Sequence, residues 1–297
     1  MKKGLLISML FCATTAFSQD IPRYFGQTAE SYQSQQAYGN HHKAGNYVNV
    51  AGTQIYYETY GQGEPLVILH GGLVGSIGEM GQFIDHLAPH YQVIAINTRG
   101  HGKSEMGKET LSYERKAEDV KAVLEALRIQ VPIRLVGFSD GAYTGYYFAA
   151  RYPEKIQKLV AIGAGSWQKA WRPFSMPFAD FIAFDPAYWQ EQITHIRPNS
   201  EKTEQWLKTQ TAYYDQVEVG QSLFEQVKTH TLVLAGEDDT NAPLDTVIQA
   251  YKWLPNADLA IIPNAPHSVF LSHFPAVWAA ITPFLQINEK NSLNYAK

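Results

Sequence analysis

Ser139 stands in Leu135-Val136-Gly137-Phe138-Ser139-Asp140-Gly141, where an apolar, strand-like run stops at Gly-x-Ser-x-Gly and a helix-like stretch begins at once. A serine at so sharp a turn is held in a strained backbone conformation that lifts its hydroxyl above the sheet edge, with helix amides behind it to meet developing negative charge. A Cβ at 137 or 141 would crowd that turn against the neighbouring strand and helix. The hydroxyl is a poor nucleophile near neutral pH, so it needs a base within hydrogen-bond reach and a third group to orient that base. Two later loops offer them. Gly236-Glu237-Asp238-Asp239 follows the strand-like Leu232 to Ala235 and carries carboxylates, and His267, in Asn264-Ala265-Pro266-His267-Ser268, follows a run ending near Ile262. The chain order serine, acid, histidine suits an elbow in a parallel sheet. The chemistry would be acyl transfer to water through a covalent acyl-enzyme.

Such loops work together only if one sheet edge carries them all. Tyr47 to Val50 and Gln54 to Tyr60 predict a hairpin turning at Ala51-Gly52-Thr53. Pro65 to Leu69, Val93 to Ile96, Ile133 to Val136 and Lys158 to Ile162 are short, apolar and largely β-branched, with helical spacing between them over Ile77 to Leu87, Ser112 to Leu127 and Ala142 to Tyr152. That alternation predicts a parallel sheet covered on both faces, with ligands at the carboxyl ends of its strands. From Ser166 to about Val227 the rhythm gives way to a segment dense in aromatics, including Trp171, Phe174, Phe184, Trp189 and Trp206, with helical stretches around Pro186 to Ile193 and Glu201 to Tyr214. Placed after the nucleophile unit, it is situated to act as a lid; most of its aromatics are expected to form its own core and a minority to line an apolar pocket. Strands resume at Thr231 to Ala235 and Leu259 to Ile262, with helices at Leu244 to Trp253 and Pro275 to Leu285.

Three further motifs accompany the elbow: His70-Gly71-Gly72 after the third strand, Arg99-Gly-His101-Gly-Lys-Ser104, and Gly236-Glu-x-Asp239 with Pro243. With these, the chain from about Asn46 to Leu285 resembles a serine hydrolase of the α/β-hydrolase superfamily, and Gly-Phe-Ser-Asp-Gly is similar to the elbow of valacyclovir-hydrolase-like enzymes. The resemblance implies an α/β-hydrolase fold, a mostly parallel eight-stranded sheet with helices on both faces and a helical cap after strand 6. It implies Ser139 as nucleophile, His267 as base and Asp239 as orienting acid, Asp239 being preferred to its rival Asp238 because it lies four residues before Pro243. The oxyanion hole is then the backbone N–H of Asp140 with that of Gly72 or Leu73. His70 is expected to be structural, His101 a turn residue, and His273 sits at a helix start without a partner. The macrodipole explains an acid at Asp140; the sharper alternative is that its carboxylate meets a substrate ammonium. Asn97 stands where the family often has Asp, so an ion pair made by that carboxylate is absent. Serine at the nucleophile position disfavours dehalogenases and epoxide hydrolases.

The implied organisation is a signal peptide over 1–18, an N-terminal arm over 19–45, a hydrolase core over 46–165 and 228–287, a cap over 166–227 and a polar tail over 288–297. The signal is read from Met1-Lys2-Lys3, the apolar Leu5 to Phe11 and the small residues from Ala13 to Ser18, with cleavage near Ser18-Gln19 and export to the periplasm or medium. Phe11 fits lipoprotein processing at Cys12 poorly. Cys12 is the only cysteine, so the mature chain would hold no disulfide, zinc-thiolate site or cysteine nucleophile. Loss of Lys2 and Lys3 takes the formal charge from −4 to −6, with no basic stripe for nucleic acid or anionic lipid, and no other run is long and apolar enough to span a bilayer. The arm is rich in Gln, Tyr, Ser and Asn without a period and is expected to be extended or loosely packed, with His41-His42 in a solvated loop rather than a metal site. The expected partner is a small molecule, with no cofactor and no metal. Ester hydrolysis leads; amide, lactone or carbon–carbon bond cleavage and haloperoxidase-like activity share the triad, and a ligand-binding receptor is the non-enzymatic alternative.

Overall fold

Largely apolar runs bury both faces, and β3 (Pro65–Leu69) and β5 (Ile133–Phe138), Arg134 included, are buried throughout. In a computed structural model, which describes residues 21–172 and 176–287, they join β1 (Gly45–Val50), β2 (Thr53–Tyr60), β4 (Gln92–Ile96), β6 (Ile156–Ile162), β7 (His230–Gly236) and β8 (Ala257–Ile262). One eight-stranded sheet results, in the order β1-β2-β4-β3-β5-β6-β7-β8. β2 runs antiparallel to both neighbours and every other pairing is parallel. The expected signal segment, Cys12, Phe174 and the tail from 288 lie outside the described residues.

The helices follow in chain order: α1 (Gly81–Leu87) after a 3₁₀ turn at Ile77–Met80, α2 (Tyr113–Ala126) capped by the Ser112 hydroxyl, and α3 (Asp140–Arg151). Between β6 and β7 come α4 (Phe178–Ala183), α5 (Pro186–Glu191), α6 (Thr203–Gln216) and α7 (Gln221–Phe224); α8 (Leu244–Trp253) and α9 (Val269–Leu285) complete the fold. Strand residues alternate between two cores. Val67, Leu69 and Leu135 face α2, α3 and α8 through Val120, Tyr143 and Val247. Leu66, Ile68 and Val136 face α1 and α9 through Phe83, Ile84, Phe270 and Ile281.

Several boundaries differ from expectation. α3 begins at Asp140 rather than Ala142, because the elbow runs straight into the helix. α9 begins at Val269, six residues before Pro275, and bends at His273 (φ −127°, ψ 35°) just ahead of that proline. α4 and α7, six and four residues long, are too short to carry a helical period. The arm is anchored rather than loose. Tyr24, Ala37 and Tyr38 are buried, the Tyr32 and Tyr38 hydroxyls donate to Asp85 of α1, and the Gly39 and His41 amides donate to the buried Glu58 of β2. Its far end reaches the segment between β6 and β7, where Asp185 accepts from Arg23 at 2.9 Å and from the Gly26 amide at 2.8 Å. His41 Nδ1 accepts from the Lys43 and Ala44 amides, which is a turn contact.

Candidate active site

The elbow is built from contacts that leave no room for side chains. A Cβ on Gly137 would sit 2.7 Å from the Ala142 nitrogen, and one on Gly141 would sit 2.7 Å from the His70 carbonyl oxygen. Ser139 takes φ 50° and ψ −114°, a conformation L residues avoid and one held here by its neighbours, including its own amide's bond to the Ile162 carbonyl at 2.8 Å. The side chain stays half-buried at the sheet edge while everything beneath it is enclosed.

Two more loops, after β7 and β8, bring the remaining groups. His267 Nε2 lies 3.0 Å from Ser139 Oγ, and His267 Nδ1 lies 2.8 Å from Asp239 Oδ2. Asp239 is only 4% exposed, and its Oδ1 accepts the Asn241 and Ala242 amides at 2.8 and 2.6 Å. Those amides fix the carboxylate, whose Oδ2 is the nearer to the imidazole and whose Oδ1 lies 3.0 Å from the same Nδ1. Asp238 is exposed, and the Glu237 carboxylate accepts the Asn264 amide. The ring of Phe138 lies 4.9 Å from that of His267, and Gly163 passes beneath, where a Cβ would stand 3.2 Å from the imidazole.

Opposite the imidazole lie the two loops expected to hold an oxyanion. Among the described residues no hydrogen bond takes the amides of Asp140, Gly72 or Leu73. The Gly71 amide donates to Glu79 at 2.5 Å, and burial pushes that carboxyl up to about 8 despite the bond. His70 is structural as expected: its Nδ1 meets the Gly71 carbonyl and its Nε2 accepts the Thr98 amide, while burial lowers it to about 4 and keeps it neutral. His101 is a fully buried turn residue whose Nδ1 meets the Arg99 carbonyl. Asn97 makes no ion pair; Arg99 pairs in two-pronged fashion with Asp119 of α2, at 2.6 and 2.7 Å.

Asp140 departs from both sequence readings. Its carboxylate, 2% exposed, accepts from Lys116 Nζ at 2.8 Å, from the Tyr113 hydroxyl at 2.9 Å and from the Tyr214 hydroxyl at 2.9 Å. An internal ammonium therefore fills the place that a substrate ammonium would take. The macrodipole is a minor matter beside a buried ion pair. Lys116 and Tyr113 carried one sequence signal, since Lys116 falls on the apolar stripe of α2; Tyr214 carried none.

The segment between β6 and β7 covers the carboxyl edge of the sheet. Trp206 and Trp189 pack with Phe181, Tyr188 and Leu207, and Leu73 and Val74 of the oxyanion-side loop pack against that cluster. Most cap aromatics are core, as expected, whereas Phe184 (64%) and Trp171 (41%) face solvent. A cavity of about 430 Å³ opens between the loop after Gly100 and the cap turn at Arg197, but neither Ser139 nor His267 lines it. Among the described residues no group of carboxylates, histidines or cysteines is placed to hold a metal, and no helix is long and apolar enough to cross a membrane.

The profile of the α/β hydrolase fold family matches residues 64–193. A 2-hydroxy-6-oxo-6-(2'-aminophenyl)hexa-2,4-dienoic acid hydrolase of Metapseudomonas resinovorans is 25% identical over 256 residues, spanning 76% of this chain and 86% of that protein. The serine hydrolase BPHL of Homo sapiens is 25% identical over 249 residues, spanning 75% of this chain and 80% of that protein. Among solved structures, the serine hydrolase CarC, involved in carbazole degradation, superposes with a TM-score of 0.69 at 21% identity, over 82% of this chain and 99% of that one. Sheet order, elbow and relatives agree: the chain has the α/β-hydrolase fold, and the proteins it is similar to are hydrolases.

Proposed function

We propose that this hydrolase cleaves a small carboxylic ester through an acyl-enzyme on Ser139. The observation that carries the reading is the line from Ser139 Oγ to His267 Nε2 at 3.0 Å and from His267 Nδ1 to Asp239 at 2.8 Å. As Oγ bonds to the ester carbon, its proton passes to Nε2, and the carbonyl electron pair moves to an oxygen held by the amides of Asp140 and Gly72. Collapse expels the alcohol oxygen, which takes the proton from His267. Water repeats the attack with His267 as base, and the acid leaves as Ser139 regains its proton. Asp239 keeps the Nδ1–H tautomer throughout.

A second reading is cleavage of a carbon–carbon bond in a vinylogous keto acid, favoured by the names of relatives such as the Metapseudomonas resinovorans enzyme and a 2-hydroxy-6-oxononadienedioate hydrolase of Paraburkholderia phymatum. A fluorophosphonate probe, short p-nitrophenyl esters and a 2-hydroxy-6-oxohexa-2,4-dienoate tested on wild type and Ser139→Ala decide between them. Labelling and ester turnover that vanish in the variant support the ester reading. Serine-dependent turnover of the dienoate alone supports the second, and a wild type neither labelled nor faster than the variant sinks both. We also propose export, for which the mature N-terminus in a cell-envelope fraction should be Gln19.

A further inference from the structure

Both loops flanking the expected oxyanion hole are hydrogen-bonded to the cap, each by a phenol. On one side the Tyr188 hydroxyl of α5 donates to the Val74 carbonyl at 2.9 Å, just beyond Gly72 and Leu73. On the other, the Tyr214 hydroxyl of α6 donates to the carboxylate of Asp140, whose own backbone amide follows Ser139. The two sides meet at Gly72. A Cβ there would collide with the Tyr214 hydroxyl and would stand 2.6 Å from Asp140 Cγ, so the glycine, the phenol and the carboxylate are stacked in contact. Burial and the Asp140 charge push the Tyr214 phenol far above its ordinary range, and burial does the same for Tyr188, so both remain protonated donors at any working pH. Lys116 prevents the Asp140 charge from opposing an oxyanion one residue away, because the ammonium neutralises it at 2.8 Å.

Resting on the Ser139 reading, we infer that Tyr214 and Tyr188 are positioning residues that set the spacing of the Asp140 and Gly72 amides, so that the seating of the cap, beyond its covering of the site, determines the rate. Their hydroxyls bond to Asp140 and to the Val74 carbonyl rather than to Ser139 or His267. They act through the loops they hold.

The test compares Tyr214→Phe and Tyr188→Phe with wild type, using kcat per active site titrated by a fluorophosphonate, KM, and the affinity of a boronic acid, whose tetrahedral adduct places a charged oxygen in the hole. Misplacing the amides by a fraction of an ångström should lower kcat about 10- to 100-fold and weaken boronate binding in parallel, with KM within about threefold. Counting titrated sites removes losses due to unfolded protein, and Tyr188→Phe, which leaves the Asp140 cluster intact, decides the matter if Tyr214→Phe yields no active sites. Turnover per site and boronate affinity within threefold of wild type in every variant that folds would overturn the inference. So would a loss confined to KM. A Ser139→Ala enzyme that still turns over would instead overturn the underlying reading, a result the tyrosine variants cannot mimic.

Discussion

Replacing Asp239 by asparagine tests the carboxylate oxygen nearer the imidazole, Oδ2. Oδ1 is pinned by the Asn241 and Ala242 amides at 2.8 and 2.6 Å, and only an acceptor can occupy that position. An asparagine must therefore turn its carbonyl to those amides and present its NH₂ to His267 Nδ1, where the carboxylate now accepts at 2.8 Å. The carbonyl oxygen, 3.0 Å from Nδ1, is already engaged by two amides, so the imidazole meets the nearer NH₂ by giving up the Nδ1 proton, which puts the proton on Nε2 and faces Ser139 with a donor instead of a base. The fold survives, since the replacement is isosteric and the two amide bonds persist, but the reacting tautomer is lost. Loss of the correct tautomer in a serine triad costs about 10⁴ in kcat, or about 5.4 kcal/mol of barrier. Asp238→Asn, at an exposed side chain, should change kcat by less than about twofold. The assay is kcat on p-nitrophenyl acetate per folded molecule, with melting temperature as the control for folding. The reasoning is refuted if Asp239→Asn keeps a tenth of wild-type turnover at an unchanged melting temperature, or if Asp238→Asn is the more damaging change.

Three other outcomes follow from the buried charges. Lys116→Met leaves the Asp140 carboxylate buried with only neutral donors, two phenols and the Gln210 amide at 3.5 Å, which should cost about 3–5 kcal/mol in urea unfolding, and adding Asp140→Asn should recover part of it; a loss below 1 kcal/mol would mean the pair is not buried as described. Because Lys116 already occupies Asp140, a valine ester should gain no more than about tenfold in kcat/KM over the matching isovalerate ester, and a hundredfold preference for the amine would refute that occupancy. Glu79, raised by burial from 4.5 to about 8, binds a proton in the folded state that the unfolded chain has released. Its stabilising contribution is full below 4.5 and is lost as pH climbs to about 8, at up to about 1.4 kcal/mol per pH unit. Unfolding free energy measured from pH 6 to 8 should therefore fall more steeply in wild type than in Glu79→Gln; parallel slopes would contradict the assignment.

The residues of the proposed triad were legible because each announces itself locally. Ser139 sits between glycines that only a tight strand-to-helix turn needs, and Asp239 and His267 each follow the end of an apolar strand at the same sheet edge. The anchoring of the arm was not legible for the converse reason: its tyrosines and amides show no period, and what anchors them is carboxylates at Asp85, Glu58 and Asp185, distant in sequence. Tyr188 and Tyr214 are two aromatics among many in the cap, and nothing in the neighbourhood of Tyr214 points to a partner 74 residues earlier.

Asp140 shows how magnitude separates readings that pattern cannot. An acid in the first turn of a helix gains about 0.3–1 kcal/mol from the macrodipole, enough to explain its presence at a surface. At 2% exposure the scale is different, because a carboxylate taken out of water costs several kcal/mol and must be met by a cation and donors. The stripe of α2 held the clue, with Tyr113, Lys116, Ala117, Val120, Val123 and Leu124 at helical spacing and one lysine among apolar neighbours. A lysine there has either to reach solvent or to find an acid under the sheet edge. The turn that exposes Ser139 buries the residue after it, and so brings the acid to the lysine.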